Sequence, residues 1–323
     1  MSSPEPRTRR LLIFGVALVL LTGCASPPAP RPAESAAPQV ALAAVLTAVR
    51  KAPAIRALPA DLTPALTATG GDLGFDNEKC EAGPAADRIE PCVFGDRASS
   101  IKVVLYGDSH AGMWLPAMTA IADRRHWRLQ FFGKPGCPAV HITVWNQQES
   151  RPFVECDRFR EHVAARIAAE RPNLVVVTNE SYSQKRGRGV LITPGEWRVG
   201  LEKTLSTLRR SARRVVVLGD TPVLAESGPD CLAKNAHNVP ACFTTRAAAT
   251  ARVWNGADES AAQASGAGYV SVLPWLCGLV CTPVIGNVTV YRNRFHLTAT
   301  YSRMMNGVLE QALAQSANGD GAG

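Results

Sequence analysis

The chain has 323 residues, of which 46% are hydrophobic and 19% are charged, so it contains enough apolar side chains for a large globular core. Its formal net charge of +8 is spread along the chain and is not gathered in one basic segment. This distribution argues against a nucleic-acid-binding protein, whose basic residues cluster on one face.

The first 23 residues have the pattern of a bacterial export signal. Basic residues at 7–10 precede an apolar run at 11–21, which is shorter than the roughly 20 residues that a transmembrane helix needs. The run ends in Leu-Thr-Gly-Cys, which resembles the lipobox of bacterial lipoproteins. We therefore expect lipidation of Cys24 and a protein anchored to the outer face of the cell membrane. An uncleaved anchor helix is the alternative.

Three further segments surround the predicted central domain. Residues 24–38 are rich in Ala and Pro and are predicted to form a tether. Residues 39–100 are predicted to form an N-terminal extension that packs on the domain, with a short helix at 40–51. Residues 101–315 form the central domain itself, and residues 316–323 are predicted to be a disordered tail.

Eight further cysteines fall as sequential neighbours, and an even number in an exported chain predicts disulfides. Sequential pairing is the simplest connectivity, although the sequence leaves the others open. Zinc is an alternative for the last pair, but no second pair with zinc-like spacing accompanies it, so we expect no metal. The cysteines are Cys80, Cys92, Cys137, Cys156, Cys231, Cys242, Cys277 and Cys281.

From residue 101 onward, five short β-branched runs alternate with helix-compatible stretches. Such runs suit strands that are buried on both faces of a sheet. The alternation predicts an α/β fold, a three-layer α/β/α sandwich around a central, mostly parallel five-stranded sheet. Functional residues of such sheets lie at the carboxyl ends of the strands. The predicted strands are 101–106, 128–132, 174–178, 214–218 and 269–273. The predicted helices are 112–125, 156–170, 195–211, 246–265 and 298–315.

The first predicted strand leads through Gly107, Asp108, Ser109 and His110 directly into a helix. A serine at this turn exposes its hydroxyl beside the helix N-terminus, where backbone N–H groups stabilise a developing oxyanion. Asp108 and Ser109 are also good helix N-caps, so the motif alone leaves both interpretations open. His296 precedes the last helix, in a loop expected to overhang the same sheet edge, and imidazole is the usual base for a serine nucleophile.

These motifs resemble the SGNH (GDSL-type) hydrolase family, and more narrowly the extracytoplasmic SGNH domains fused to bacterial membrane O-acyltransferases. The resemblance covers about residues 40–312 and implies a flavodoxin-like sheet. It implies that Ser109 is the nucleophile and His296 the base, acting without a cofactor on O-acyl esters of glycans, usually acetyl esters. It is carried by residues 59–66, Gly-Asp-Ser-His at 107–110, Lys-Pro-Gly-Cys-Pro at 134–138, Gly-Asp-Thr-Pro at 219–222 and His-Leu-Thr-Ala-Thr-Tyr at 296–301.

The sequence departs from the family at Asn293, where the family usually has an aspartate three residues before the histidine. In trypsin-type triads the same Asp-to-Asn change lowers turnover by about 10⁴, because the imidazole takes the wrong tautomer. A Ser109–His296 dyad, a backbone carbonyl that orients His296, and a non-catalytic protein are therefore all open. Asp220 also follows a strand, but nothing in the sequence places it beside His296.

The oxyanion-hole donors are a second uncertain part of the pattern. The family uses a glycine after the second strand and often an asparagine after the third. Gly136 fits the first role, with Gly133 as its rival, and Asn179 fits the second, although either could be a turn residue. We assign Asp108 to the same substrate-binding part of the site.

The sequence thus predicts a cell-envelope carbohydrate O-acyl esterase or O-acyltransferase. Water as acceptor gives deacylation and a sugar hydroxyl gives transfer, depending on how well water is excluded. The alternatives are a glycan-binding lipoprotein that has lost activity and an accessory subunit of a membrane-embedded acyltransferase. The expected partners are a glycan or its acyl ester and the membrane through Cys24, but no nucleic acid.

Overall fold

The computed structural model describes residues 42–251 and 253–316. Its centre is a six-stranded sheet in the order β1-β3-β2-β4-β5-β6. Strands β2 to β6 are parallel, in the flavodoxin-like order, and β1 is antiparallel to β3 at one edge. The strands are β1 (Cys92–Gly95), β2 (Lys102–Gly107), β3 (Arg128–Gly133), β4 (Leu174–Thr178), β5 (Val215–Leu218) and β6 (Gly268–Val270).

Helices cover both faces of the sheet. Helices α1, α3, α9 and α10 contribute to the core on one face, and α4, α5 and α8 to the core on the other. This arrangement confirms the predicted three-layer α/β/α sandwich. The helices are α1 (Leu42–Lys51), α2 (Asn77–Cys80), α3 (Ser109–Arg125), α4 (Val154–Glu170), α5 (Pro194–Arg209), α6 (Gly228–Lys234), α7 (Arg246–Thr250), α8 (Asn255–Ser265), α9 (Ala299–Met304) and α10 (Asn306–Gln315).

The strands are buried because their side chains alternate between two cores. In β2, Val103 and Leu105 belong to the core on the α3 face, whereas Val104 and Tyr106 belong to the core on the α4 face. All four side chains are at most 2% exposed. A strand with two buried faces reads as a continuous apolar run, which is why the sequence pattern locates the parallel strands correctly.

Two parts of the predicted element list differ from the structure. The sheet has a sixth strand, β1, whose apolar run is only three residues long and whose four residues are only half-buried. The predicted helix over 246–265 is wrong, because the chain breaks between α7 and α8. At the break the backbone N–H of Trp254 donates to Ser181 Oγ (3.1 Å) and not to a helical carbonyl, and the Trp254 ring packs edge-on against Trp197.

Four disulfides join sequential neighbours, at Cys80–Cys92, Cys137–Cys156, Cys231–Cys242 and Cys277–Cys281. The first ties α2 to the edge strand β1. Cys24, the predicted signal and tether, and residues 317–323 lie outside the described residues. Within the two described ranges, no helix combines the length and apolarity needed to cross a membrane.

Candidate active site

Ser109 is the first residue of α3, at the carboxyl edge of the parallel sheet. The preceding turn requires Gly107, because a Cβ atom there would lie 1.9 Å from the carbonyl oxygen of Thr178. Asp108 caps the helix, and its Oδ1 atom accepts a hydrogen bond from the backbone N–H of His110 (2.9 Å). The tight turn therefore places the Ser109 hydroxyl at the N-terminus of a 17-residue helix.

His296 meets Ser109 across 187 residues of sequence, with Nε2 lying 2.9 Å from the serine Oγ. The imidazole is carried by a tight loop whose two sides are bridged at Tyr291 and Leu297. Inside the loop, the backbone N–H of Arg292 donates to the His296 carbonyl (2.9 Å). The structure thus brings the two residues within hydrogen-bond reach of each other.

Asn293 contacts the other imidazole nitrogen, and its side-chain amide has one consistent orientation. Its Oδ1 atom accepts hydrogen bonds from the backbone N–H groups of Phe295 (3.0 Å) and His296 (2.9 Å). Because only the amide oxygen can accept them, the amino group must face His296 Nδ1, which lies 2.9 Å away. An amino group can only donate, so Nδ1 is the acceptor of this bond.

This contact determines the tautomer of His296. A neutral imidazole carries its one proton on the nitrogen that is not an acceptor, so the proton of the resting ring is on Nε2. Burial, together with His110 and Arg292 nearby, lowers the pKa of His296 to about 2 and keeps the ring neutral. In this state His296 donates a hydrogen bond to Ser109 Oγ and is not the acceptor of its proton.

Asp220 is paired with His110 and not with His296. Its Oδ1 atom lies 2.8 Å from His110 Nδ1, and both side chains are 1% exposed. Burial opposes the charge of His110, but Asp220 and two neighbouring carboxyl groups offset this, so the pKa of His110 is raised. The His110 ring packs at 69° against His296, with ring centroids 4.9 Å apart. The fully buried carboxylate–imidazole pair Asp220–His110 therefore lies directly beside the Ser109–His296 pair.

Asp108 lies inside the turn. Both of its carboxylate oxygens accept backbone N–H groups, Oδ1 from His110 and Oδ2 from Glu180 (2.9 Å each). The side chain is 0% exposed, and burial raises its pKa to about 7. The carboxylate ties the start of α3 to the loop after β4, and it does not line the cleft in front of Ser109.

Gly136 and Asn179 do not line the cleft that contains Ser109. Gly136, with a φ of +68°, occupies the third position of a turn closed by the Cys137 N–H and the Lys134 carbonyl (3.0 Å), where glycine is favoured. It lines a neighbouring cavity of about 290 Å³. Asn179 Oδ1 accepts the Ala139 N–H (2.6 Å), which leaves its amino group as the available donor.

Lys134 of the same motif is a structural residue. It is 0% exposed, and its ammonium group donates to the carbonyls of Gly83, Pro84 and Ala86 (2.5, 2.9 and 2.9 Å). Burial lowers its pKa to about 8. This side chain thereby fastens residues before the central domain to the loop that carries Gly136.

The cleft in front of Ser109 has a volume of about 310 Å³. One part of its lining is the loop with Arg292 and His296, and another comes from residues 72–81. Glu81 belongs to this second part, and burial raises its pKa to about 7. Sequence reasoning missed both Arg292 and Glu81. The available signals were that Arg292 adjoins Asn293 and that Glu81 follows a disulfide cysteine. The side chains lining the cleft belong to Asp72, Leu73, Phe75, Asn77, Glu81, Ser109, Gly112, Met113, Pro135, Arg292, His296 and Leu297.

The fold and the site place this protein in the class of three-layer α/β/α proteins that carry a serine–histidine pair at the carboxyl edge of a parallel sheet. The chain belongs to the SGNH family, because the family model described as "SGNH domain (fused to AT3 domains)" matches residues 78–311. The resemblance inferred from the motifs is thus confirmed. No functionally curated protein matches the sequence at a significant level.

Solved structures with a similar fold are distant in sequence. The periplasmic domain of a lipopolysaccharide acetyltransferase from Salmonella ser. Paratyphi A is 15% identical, with a TM-score of 0.54 over 67% of this chain and 84% of that chain. A putative acylhydrolase from Bacteroides fragilis is also 15% identical, with a TM-score of 0.44 over 69% and 90% of the two chains. A GDSL-like lipase from Bacteroides thetaiotaomicron has the same identity and a TM-score of 0.43 over 67% and 89%.

Proposed function

We propose that this protein is a cell-envelope carbohydrate O-acyl esterase or O-acyltransferase, most simply for O-acetyl groups. The observation that carries the proposal is the 2.9 Å contact between Ser109 Oγ and His296 Nε2 at the N-terminus of α3. In the proposed reaction His296 takes the proton of Ser109 as the serine attacks the ester carbonyl, and returns it to the glycan oxygen that leaves. Water or a sugar hydroxyl then gives its proton to His296 and takes the acyl group, and the proton returns to Ser109.

Donors for the tetrahedral oxyanion are available on the same side of the sheet. The backbone N–H of Ser109 is at the free N-terminus of α3, where the helix dipole favours negative charge. The N–H of Gly136 and the Asn179 amino group make no hydrogen bond within the described part of the chain. We assign these three groups to the oxyanion hole, which requires the Gly136 turn to move toward the cleft when substrate binds.

The Asn293 contact predicts slow turnover. To accept the serine proton, His296 must move its own proton from Nε2 to Nδ1 and lose the hydrogen bond from Asn293. The imidazolium that then forms has no carboxylate partner, because Asp220 is held by His110. Both costs fall on the transition state and lower kcat.

A catalytically impaired glycan-binding lipoprotein is the second candidate function, and the Asn293 contact is the observation that favours it. In that protein Ser109 and His296 would supply hydrogen bonds to a sugar without reacting. A binding protein that works as an accessory subunit of a membrane acyltransferase would have the same site. Copurification of an acyltransferase from membranes would support the accessory function.

Active-site labelling separates the two candidates. The detergent-solubilised protein is incubated with a fluorophosphonate probe and with p-nitrophenyl acetate, alongside Ser109→Ala. Labelling and hydrolysis that disappear in Ser109→Ala support the esterase. Equal labelling of both proteins would rule out Ser109 as the nucleophile, and an inert wild-type protein that still binds glycan would favour the binding function.

A further inference from the structure

Arg292 is a cation that lines the Ser109 cleft. It is half-buried, its backbone N–H is used inside the His296 loop, and its guanidinium makes no hydrogen bond or ion pair with residues 42–251 or 253–316. Burial lowers the pKa of Arg292, although a guanidinium stays protonated in proteins. Withdrawing a charge from water without a partner costs free energy, so this arrangement points to a ligand that supplies the partner.

Glu81 interacts electrostatically with Arg292 but forms no ion pair with it. Both side chains line the cleft, but no nitrogen–oxygen distance between them is within 4.0 Å. Its Oε1 atom lies against α3 instead, 2.7 Å from where a Cβ atom on Gly112 would be. With a pKa raised to about 7, the carboxyl group is partly protonated at neutral pH, so it offsets the positive charge of Arg292 only in part.

We propose that the Ser109 cleft takes a substrate that carries a carboxylate, and that Arg292 binds this carboxylate. The inference rests on the proposed acyl-transfer function and names its substrate class. The carboxylate belongs either to the sugar, as in a uronic acid, or to the acyl group, as in the half-ester of a dicarboxylic acid. An arginine can hold either one through two parallel N–H···O bonds.

The charged side chains that line the cleft favour a substrate group with a single negative charge. Arg292 is the only lysine or arginine that lines the cleft among the described residues, and His296 beside it stays neutral. Asp72 and Glu81 also line the cleft and would oppose a doubly charged group. A carboxylate fits one guanidinium in a cleft of about 310 Å³ better than a phosphate dianion does.

Binding of matched small ligands tests the proposal without requiring turnover. The full-length protein in detergent is titrated by NMR with methyl glucuronide against methyl glucoside, and with monomethyl succinate against dimethyl succinate. In each pair only the carboxylate differs. A charge-assisted pair predicts that the charged member of the relevant pair binds about tenfold or more tightly. A preference in the first pair assigns the carboxylate to the sugar, and one in the second assigns it to the acyl group.

Arg292→Gln should abolish this preference, and Arg292→Lys should restore part of it because the charge returns without the planar fork. Arg294→Gln is the matched control. Arg294 lies on the same loop, but its Nε atom donates to the Leu224 carbonyl (3.2 Å) and it does not line the cleft. This control should keep the wild-type preference.

The proposal is wrong if the wild-type protein binds neither charged ligand more tightly than its neutral match, or if Arg292→Gln keeps the preference. The first comparison needs no variant, so a folding defect cannot hide the answer. Failure of the proposed acyl-transfer activity would give a different result. The wild-type protein would then bind the carboxylate through Arg292 but would not be labelled at Ser109, so the anion-binding proposal would stand and the acyl-transfer proposal would fall.

Discussion

At the scale of single residues, the hydrogen-bond polarity of Asn293 has the largest chemical effect. Its oxygen is held by two backbone N–H groups, so its amino group must meet His296. An aspartate in the same place would keep both backbone bonds with one oxygen and accept the Nδ1 proton of His296 with the other. The position is thus built for a carboxylate but contains an amide.

Asn293→Asp should therefore raise kcat for p-nitrophenyl acetate by at least tenfold, because it returns the base tautomer and stabilises the imidazolium. Steady-state kinetics near neutral pH measure the change. Asn293→Ala is the control, since it removes the amide without supplying a carboxylate and should not raise activity. Equal or lower activity of the aspartate variant would show that another group orients His296.

Glu81 sets the pH dependence of anion binding. The ionisable side chains lining the cleft are Asp72, Glu81, Arg292 and His296. Below pH 7 Glu81 is protonated and a bound carboxylate meets the charge of Arg292, whereas above pH 7 the ionised Glu81 repels it. Affinity for the preferred charged ligand should fall as the pH rises from 6 to 8. In Glu81→Gln the affinity should stay flat over this range, and a wild-type profile without this fall would contradict the assignment.

The sequence identified part of this site and missed the rest for a physical reason. Ser109 and His296 stand in recognisable motifs next to predicted elements, so strand-end reasoning brought them to one sheet edge. Arg292 and Glu81 have no such motif, and their proximity results from tertiary packing of a loop against the N-terminal extension. The pairing of Asp220 with His110 is likewise decided by side-chain packing beneath the turn.

At the scale of strands and helices, the sequence predicted best those strands whose side chains are mostly buried on both faces. The parallel strands are mostly apolar and were located to within a few residues. Strand β1 is short and half-buried, so no periodic signal marks it. The break between α7 and α8 depends on a hydrogen bond from Trp254 to Ser181, 73 residues away, which local propensity cannot indicate.

The Cys80–Cys92 disulfide holds the cleft wall that contains Glu81. Replacing both cysteines by alanine should lower the free energy of unfolding by about 2–4 kcal/mol and also weaken binding of the preferred charged ligand. The matched control replaces Cys231 and Cys242, a disulfide of similar separation (11 against 12 residues) in a separate small core.

The control should lose similar stability, measured by denaturant unfolding, but retain its affinity for the ligand. Equal loss of affinity in both double variants would mean that the first disulfide acts through global stability alone. Equal retention in both would mean that the wall is positioned without it, for example through the bond from the Ala82 N–H to the Gly133 carbonyl (2.8 Å).

At the scale of the whole molecule, the cleft is shared between the central domain and the chain before it. The family match begins at residue 78, yet Asp72, Leu73 and Phe75 line the cleft from outside that region. The backbone N–H groups of Ala299 and Thr300 donate to Asp72 (2.9 Å each), which fastens this wall to α9. Under the proposed function, we therefore expect substrate selection to depend on residues that the family pattern does not include.

Membrane attachment belongs to the same scale and remains a prediction about Cys24. Cys24→Ala should move the protein from the membrane fraction to the soluble fraction of cells, because the lipid chains that would bury their methylenes in the bilayer are absent. Fractionation followed by immunoblotting measures the shift. Wild-type protein found in the soluble fraction would contradict lipid anchoring, and a Cys24→Ala protein that stays in the membrane would indicate an uncleaved helix.

The Cys80–Cys92 bond also links the state of the cleft to the redox conditions around the protein. If the protein is exported as predicted, a newly made chain in the reducing cytoplasm lacks this covalent link. We expect the part of the cleft that contains Glu81 to be held less firmly against the sheet until these thiols are oxidised. The complete cleft would then form only outside the cytoplasm, where the proposed substrates lie.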